Sequence, residues 1–176
     1  IIKFALFIKY YFMIIVLKNK HTLQVDDFSF KCSIGKNGLT KRKVEGDKKT
    51  PIGTFSVENL YFRKDRISEP KTGLKCIEIS QNMGWCDDIN YPKKYNKLIK
   101  VKKKIKHEKL FRNDYKYDYI IPINYNTKNT LLGKGSAIFL HLTNNFKPTA
   151  GCIALQKKDF LILLKIINKK TKIIIT

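Results

Sequence analysis

The sequence of 176 residues has few acidic side chains and little arginine. It holds 36 lysines and arginines against 14 aspartates and glutamates, a formal net charge of +22. Arginine occupies only positions 42, 63, 66 and 112. Because proteins that read nucleic-acid sequence depend on the guanidinium fork, this scarcity argues against that class. The lysine excess still predicts electrostatic attraction to an anionic polymer or membrane.

The chain also lacks an uninterrupted apolar run long enough to cross a bilayer. Its most apolar stretch, residues 1–20, is broken by Lys3 and Lys9, whereas a spanning helix needs about 20 apolar residues. No small-residue cleavage site of the kind that ends a signal peptide follows Val16. We therefore expect residues 1–12 to be an N-terminal extension or a degenerate anchor, and residues 13–176 to form one domain.

Closely spaced cysteine pairs are absent as well. Cys32, Cys76, Cys86 and Cys152 include no C-x-x-C pair, so the spacing predicts no structural zinc site. Cys32 and Cys76 lie in apolar patterns where free cysteine behaves as a small hydrophobe, although four thiols could still form two disulfides. Cys86 is followed by two carboxylates, which raise a thiol pKa and disfavour the thiolate.

What the chain does contain is a series of short β-branched and aromatic runs separated by turn residues, which predicts a mostly β fold. Residues 13–25 are predicted to form two strands joined by a polar turn at 18–21, and further strands are predicted at 28–34, 53–61, 117–124, 136–142 and 171–176. The basic segment 93–109 is expected to be a surface loop or a poor helix. Only residues 155–167 have helical apolar spacing, with Asp159 in the first turn, where the helix dipole favours an anion.

Cys152 has a different setting from the other cysteines. It lies directly before the predicted helix and 11 residues after His141, which ends an apolar run. A histidine that accepts the thiol proton makes cysteine an efficient nucleophile, and Gly151 lets backbone N–H groups approach a developing oxyanion. Spacing alone leaves a structural alternative open, because buried cysteines beside glycine and hydrogen-bonded strand-end histidines are common.

Three segments, in order along the chain, resemble the L,D-transpeptidase (YkuD-like) catalytic domain family. Residues 139–155, FLHLTNNFKPTAGCIAL, resemble its signature, in which a histidine precedes a Ser/Thr-x-Gly-Cys motif. Residues 46–55 are similar to the family's K-T-P-x-G-x-F segment. Without the resemblance, residues 50–53 predict a turn before a strand. Residues 84–88, GWCDD, resemble a motif of a short single-domain bacterial branch.

The resemblance implies a mostly β, YkuD-like β-sandwich with one or more short helices, one of them after the cysteine. It implies a peptidoglycan L,D-transpeptidase of the bacterial periplasm or cell envelope that serves cell-wall organisation and needs no cofactor or metal. Cys152 would attack the third residue of a stem peptide, expel D-alanine and hold a thioester. A side-chain amine of a second stem would then complete a 3→3 crosslink, with His141 as general base, oriented by a backbone carbonyl.

The resemblance also assigns the surrounding residues. It implies that the backbone N–H groups of Gly151, Cys152 and Ala150 bind the oxyanion. The candidate substrate-binding residues are Thr149, Trp85, Asp87 and Lys147. Purely structural interpretations stay open for two of them, because Trp85 could pack in the core and Asp87 could lie in a solvated loop.

The chain departs from the family pattern at two positions. Many members carry histidine at the position of Ala150 and arginine at that of Ala154. The second change removes a cation suited to binding a carboxylate, which Lys147, Lys134 or Arg66 could replace.

Three other functions stay open at this point. Water could be the acceptor, which would make the protein an L,D-carboxypeptidase on the same stems. The chain could be a basic polymer-binding protein without chemistry, or a family member that binds wall peptide without turnover. We expect a monomer that lies near the wall or membrane surface and has no nucleic-acid partner.

Overall fold

The computed structural model describes residues 13–101 and 105–176, so the expected extension at residues 1–12 lies outside the described residues. Within these ranges no helix is long and apolar enough to cross a membrane. The strands are β1 Ile14–Lys18, β2 Thr22–Val25, β3 Phe28–Ser33, β4 Leu39–Thr40, β5 Thr50–Pro51, β6 Gly53–Ser56, β7 Leu60–Phe62, β8 Cys76–Glu78, β9 Met83–Cys86, β10 Leu98–Lys100, β11 His107–Lys109, β12 Tyr119–Pro122, β13 Phe139–Leu142, β14 Ile153–Leu155 and β15 Lys172–Ile175. Helix α1 covers Lys157–Ile166, and Tyr115–Tyr117 form one turn of 3₁₀ helix.

Ten strands form the larger sheet, in the order β6-β15-β1-β2-β3-β14-β13-β12-β7-β8. Its central strands β13 and β14 are parallel, with Leu140 opposite Ile153 and His141 opposite Ala154. The connection between them, residues 143–152, must return to the same end of the sheet before β14 can begin. This crossover loop therefore brings residue 152 to the start of β14, next to β13.

One face of the larger sheet carries the main hydrophobic core. Because side chains alternate along a strand, every second residue of β13 and β14 points to this face. Helix α1 covers it with Phe160, Leu163 and Leu164, all fully buried. Burial of each such side chain contributes roughly 1.5–3 kcal/mol, so this layer supplies much of the stability.

The opposite face of β7, β12 and β13 is covered by a second sheet, in the order β10-β9-β11. A smaller hydrophobic cluster fills the space between the two sheets. It includes Tyr61, Trp85, Tyr117, Phe139 and Cys152. Cys152 therefore lies between the layers and not on the outer surface.

The mostly β fold is confirmed, as are the hairpin β1–β2 and the single helix. Several predicted boundaries were wrong. The strand expected over 53–61 is divided into β6 and β7, and the strand expected over 136–142 begins only at Phe139. Leu155 belongs to β14 and the helix begins at Lys157, because the apolar side chains up to Leu155 are needed in the sheet. The segment 93–109 is not a loop or a helix throughout, since it contains β10 and β11.

The error in 93–109 has a physical cause. Ile99, Val101 and Ile105 alternate with lysines and pack around the buried Cys86 of β9. Lys100 and Lys106, which lie beside these apolar residues, are exposed, and the abundance of lysine in this part of the sequence hides the alternation expected of a half-buried strand. β11 brings Glu108 to the cleft that Cys152 also lines.

Candidate active site

His141 and Cys152 line the same cleft, whose volume is about 530 Å³. His141 lies on β13, and Cys152 comes directly before the adjacent parallel strand β14. Parallel pairing sets their side chains on one face of the sheet, away from the main core. The two residues that the sequence motif indicated therefore line one cleft on the same face of the sheet.

Backbone groups hold both side chains in place. The Nδ1 of His141 lies 2.9 Å from the carbonyl oxygen of Leu142. Since a carbonyl only accepts, Nδ1 carries the proton and Nε2 is free to accept one. The Sγ of Cys152 donates to the Ala137 carbonyl at 3.2 Å and accepts from the Phe139 N–H at 3.3 Å.

Burial keeps this pair neutral in the resting protein. His141 is 7% exposed and Cys152 is 9% exposed. Desolvation lowers the pKa of His141 to about 4 and is only partly opposed by its bond to Leu142. Desolvation also raises the pKa of Cys152 to about 12. At neutral pH the site therefore holds a thiol and a neutral imidazole, a combination suited to proton transfer only when a reaction demands it.

Hydroxyl groups fix the loop that carries Cys152. The Thr50 hydroxyl accepts from the Gly35 N–H at 2.9 Å and donates to the Gly151 carbonyl at 2.8 Å. Gly151 has φ +141°, and a Cβ there would lie 2.9 Å from the Lys49 carbonyl oxygen, so only glycine fits. The segment 50–53, expected as a turn, thus includes the side chain that anchors this loop.

The three backbone N–H groups expected to bind an oxyanion are not equivalent. The Gly151 N–H donates to Thr149 Oγ1 at 3.1 Å. For the N–H groups of Ala150 and Cys152 there is no hydrogen bond within the described part of the chain. These two donors are therefore the ones available to a ligand.

The four candidate substrate-binding residues occupy different places. Lys147, Asp87 and Thr149 line the cleft, whereas Trp85 does not. The Thr149 hydroxyl is engaged within its own loop, because it also donates to the Cys152 carbonyl at 2.6 Å. Lys147 is exposed at the cleft, and Asp87 is partly buried there.

Trp85 is a core residue that supports the site from below. Its indole ring packs edge-on against Phe139, with ring centroids 5.2 Å apart. Its N–H donates to Asn96 Oδ1 at 2.9 Å, and the same oxygen accepts from the Ala137 N–H at 3.1 Å. Trp85 is thereby linked to the residue whose carbonyl accepts from the Cys152 thiol.

Of the cations that could replace the family's arginine at Ala154, only Lys147 lines the cleft; Lys134 and Arg66 do not. The Arg66 guanidinium donates to three backbone carbonyls of a neighbouring loop and lies 3.3 Å from the Asp118 carboxylate. It is therefore engaged within the protein.

The sequence analysis missed Lys43, a cation that also lines the cleft. Its side chain is 3% exposed, and its Nζ lies 2.5 Å from Asp47 Oδ1. The lysine stem packs so closely on Gly135 that a Cβ there would lie 2.7 Å from Lys43 Cγ. Lys43 precedes the matched segment 46–55 by only three residues, which is the one sequence signal that could have drawn attention to it.

Tyr117 and Arg112 were also missed. The Tyr117 ring lies edge-on to the imidazole of His141, with centroids 5.4 Å apart. The Arg112 guanidinium lies over the Tyr117 ring and pairs with Asp114 at 2.7 Å and with Glu108 at 3.2 Å. Nothing in the spacing of these residues relates them to His141, because the contact depends on how β11 and the 3₁₀ turn pack.

The cysteines form no disulfide, and the described residues contain no group that could hold a metal. Cys32, Cys76, Cys86 and Cys152 are all free thiols, so the two disulfides left open by the sequence are not formed. Burial, with smaller contributions from Asp88 and Asp87, raises the pKa of Cys86. In the described ranges, no three His, Cys, Asp or Glu side chains meet in a group that could hold a metal.

Comparison with known proteins gives a family and a fold. The family model described as the L,D-transpeptidase catalytic domain, YkuD, matches residues 10–175. The helical cell shape determining protein Pgp2 from Campylobacter jejuni superposes with a TM-score of 0.50 and 17% identity, covering 93% of this chain and 46% of that one. An L,D-transpeptidase from Mycobacterium tuberculosis gives 0.45 and 13%, covering 94% and 57%.

These similarities support the family and the fold of the chain. No curated protein matches the chain in sequence. At such low identity, the superposition with Pgp2 supports the fold alone. The chain also spans only about half the length of the solved structures it matches.

Proposed function

This chain belongs to the family of the L,D-transpeptidase catalytic domain, and from that premise we propose that it is a peptidoglycan L,D-transpeptidase with Cys152 as nucleophile and His141 as general base. One observation supports this most strongly: both side chains line one cleft, and the Leu142 carbonyl holds Nδ1 of His141, which leaves Nε2 as the nitrogen that can accept the thiol proton. The proposed catalytic domain is residues 13–176, acting in the cell envelope.

Acylation of Cys152 is the first step of the proposed mechanism. His141 Nε2 takes the Sγ proton as the sulfur attacks the carbonyl carbon of the diamino acid at the third stem position. The tetrahedral oxyanion accepts hydrogen bonds from the N–H groups of Cys152 and Ala150, which lack partners in the described residues. The C–N bond then breaks, His141 returns the proton to the leaving amine, and D-alanine departs from a thioester.

Transfer to a second stem completes the proposed reaction. The side-chain amine of a second diamino acid attacks the thioester carbonyl and gives a proton to His141. The C–S bond breaks, and the sulfur recovers the proton from His141. The product is an amide between two third-position residues, the 3→3 crosslink, and the protein returns to its starting state. If water replaced the amine, the same steps would give a carboxypeptidase.

The arrangement of the pair suits a buried, neutral resting state. Because the pKa of Cys152 is about 12 and that of His141 is about 4, a spontaneous ion pair is disfavoured. The proton moves when the substrate oxyanion forms and gains the backbone donors, so the charge is stabilised where it develops. Lys43 lies near enough to favour the thiolate electrostatically.

The decisive experiment uses the disaccharide-tetrapeptide as substrate. The wild-type chain should release D-alanine and form a crosslinked dimer, whereas Cys152→Ala should form neither product. Intact mass spectrometry should find the acyl group on the wild-type protein, attached through Cys152. Product analysis also separates dimer formation from hydrolysis, because the carboxypeptidase alternative gives tripeptide only.

The matched control is Cys32→Ala, which removes another buried thiol near β14 and leaves the cleft intact. Cys32→Ala should retain both products after correction for the folded fraction. Full activity in Cys152→Ala, with a native circular dichroism spectrum, would contradict the assignment of the nucleophile.

A further inference from the structure

Glu45 is a carboxylate held in a fixed position on the wall of the cleft. Its Oε2 accepts from the Tyr95 hydroxyl at 2.5 Å and from the Ser136 hydroxyl at 2.7 Å. Both donors are buried, Tyr95 completely, and they come from loops 50 and 91 residues further along the chain. Desolvation, followed by the contact with Glu45, raises the Tyr95 pKa, which keeps this hydroxyl protonated as a donor.

Glu45 has no cationic partner, unlike most carboxylates nearby. Asp47 pairs with Lys43, and Glu108 pairs with Arg112. In the described part of the chain, no lysine, arginine or histidine nitrogen lies within 4.0 Å of the Glu45 carboxylate. In a protein of net charge +22, an acidic group left unpaired beside so many lysines indicates a position reserved for an external cation.

Asp87 provides a second, independent indication on the same cleft. Its Oδ1 is buried and has no hydrogen-bond partner in the described residues. Its Oδ2 reaches only the exposed Lys106, at 3.9 Å. Desolvation raises the pKa of Asp87, and the negative field of Glu45 adds to it. A buried carboxylate oxygen without a donor is costly, and an incoming N–H group would relieve that cost.

We propose that Glu45, assisted by Asp87, binds the side-chain ammonium of the diamino acid in a stem peptide. This inference rests on the proposed function. The hydroxyl groups of Tyr95 and Ser136 occupy Oε2 and fix the carboxylate, while Oε1 makes no bond within the described chain and is left for the ligand. The ammonium supplies three donors and the positive charge that this wall lacks. Glu45 is then a specificity-determining residue for the amine.

Two stems could bring this ammonium into the cleft. The donor stem carries it on the residue that is attacked. The acceptor stem carries it on the group that attacks, after this group has lost one proton to bulk water and become the neutral amine. The chemistry at Glu45 is the same in both cases. The two sources separate experimentally, because donor binding acts before the acyl-enzyme forms and acceptor binding acts after it.

The test uses Glu45→Gln in the full chain, with stems whose side-chain amine is either free or acetylated. Glutamine keeps an oxygen for the hydroxyl groups of Tyr95 and Ser136, so the fold should persist and only the charge is lost. The matched control is Glu58→Gln, which removes an exposed carboxylate that does not line the cleft. Acylation is followed by intact mass spectrometry. The ratio of dimer to tripeptide measures how the acyl-enzyme divides between transfer to a second stem and hydrolysis.

We expect Glu45→Gln to lower one of two quantities by about 10–100-fold: the preference of acylation for the free-amine stem over the acetylated stem, or the ratio of dimer to tripeptide formed from the free-amine stem. If the loss appears in acylation, the donor ammonium is bound; if acylation keeps its rate and the dimer-to-tripeptide ratio falls, the acceptor ammonium is bound. Either result supports the proposal. An unchanged preference in both steps, with Glu45→Gln behaving as Glu58→Gln does, would overturn it.

Binding to an inactive protein gives a readout that does not depend on turnover. In the Cys152→Ala background, calorimetry with free-amine tetrapeptide should show a weaker Kd after Glu45→Gln, and no such change with the acetylated peptide. Equal affinities would also overturn the proposal. If the wild-type chain forms no acyl-enzyme but this binding difference persists, the proposed function fails while the ammonium site stands.

Discussion

The two faces of the paired strands β13 and β14 are built for different purposes. One face carries the apolar side chains Leu140, Leu142, Ile153 and Leu155, all buried against the main core. The other face presents Phe139, His141, Cys152 and Ala154 towards the smaller sheet and the cleft. Because the side-chain period of a strand is two, neighbours in sequence point in turn to the main core and to the cleft. A one-residue shift in register would exchange the two roles completely.

The same contrast separates two buried thiols. Cys32 lies on β3 opposite Leu155, and Cys152 lies at the start of the strand that carries Leu155. Burial raises the pKa of both thiols to about 12. Burial therefore does not distinguish the proposed nucleophile from the other thiol. The difference lies in the polar surroundings, since only Cys152 shares a cleft with an imidazole and with unpaired N–H donors.

The largest effect should come from His141→Gln, which removes the proposed base from the cleft face. We expect the rate of acyl-enzyme formation to fall about 10³-fold, because general-base catalysis typically contributes 10²–10⁴-fold. This corresponds to about 4 kcal/mol in the barrier. The rate is measured by quenching the acylation reaction at set times and quantifying the acyl-enzyme by mass spectrometry. Wild type and variant are compared at equal folded fractions.

Thermal unfolding of the His141→Gln variant provides the control for this prediction. The substitution should leave the unfolding temperature at neutral pH close to that of the wild type, since the core face of β13 is untouched. A variant that keeps its fold and its acylation rate would show that the imidazole is not the base.

The next largest effect should come from Leu140→Ala, one position earlier and on the opposite face. Leu140 is fully buried in the main core, and truncation of such a leucine costs about 2–5 kcal/mol in the free energy of unfolding. Denaturant titration measures this loss. The acylation rate of the folded fraction should stay within about threefold of the wild type. A large specific loss of rate in the folded protein would show that the two faces are not independent.

Acid should destabilise the protein through His141. Burial lowers its pKa from the usual 6.5 to about 4, so between these values the unfolded chain binds a proton that the folded chain does not. The free energy of unfolding therefore rises with pH through this window. Acidification from about pH 7 to about pH 4 should cost on the order of 3 kcal/mol at this residue.

A comparison of variants isolates that contribution. The wild type and His141→Gln share every other titrating group, so the difference between their pH-dependent losses belongs to residue 141. Denaturant titrations at both pH values should show the smaller loss in His141→Gln. Equal losses would mean that the imidazole is not held neutral by burial.

Much of the fold could be predicted from the sequence because local patterns determine it. The hairpin β1–β2 and helix α1 were visible as apolar periodicity and turn residues. β10 and β11 were missed because lysines alternate with Ile99 and Val101, and the apolar half of the pattern was too short to stand out. Leu155 was assigned to the helix because its spacing fits either element, and the choice depends on pairing with β13 and β3.

The site was predictable only in part. His141 and Cys152 could be selected because a motif places them at the ends of neighbouring elements. Glu45, in contrast, meets Ser136 across 91 residues, and no spacing rule connects two such positions. Trp85 was considered for the substrate, but its burial depends on the smaller sheet, whose existence the lysines concealed. Contacts between distant loops require the packed structure.

The smallest effect concerns the Thr50 hydroxyl, which supports the loop carrying Cys152 by accepting from the Gly35 N–H and donating to the Gly151 carbonyl. Thr50→Val keeps the shape and leaves both backbone groups unpaired in the interior, where such a loss costs about 1–3 kcal/mol. We expect a loss of this size by denaturant titration, together with a decrease of about tenfold in acylation because the loop carrying Cys152 moves.

Thr50→Ser is the control that restores the hydroxyl, and it separates the loss of the hydrogen bonds from the loss of a methyl group. Thr50→Ser should recover most of the acylation rate, although the missing methyl leaves a small stability deficit. If Thr50→Val and Thr50→Ser acylate equally fast, the hydroxyl does not position Cys152, and the loop is held by Gly151 and by the Thr149 bonds alone. Partial recovery in proportion to stability would instead show that the Thr50 hydroxyl affects acylation through the stability of the fold, and not through the position of Cys152.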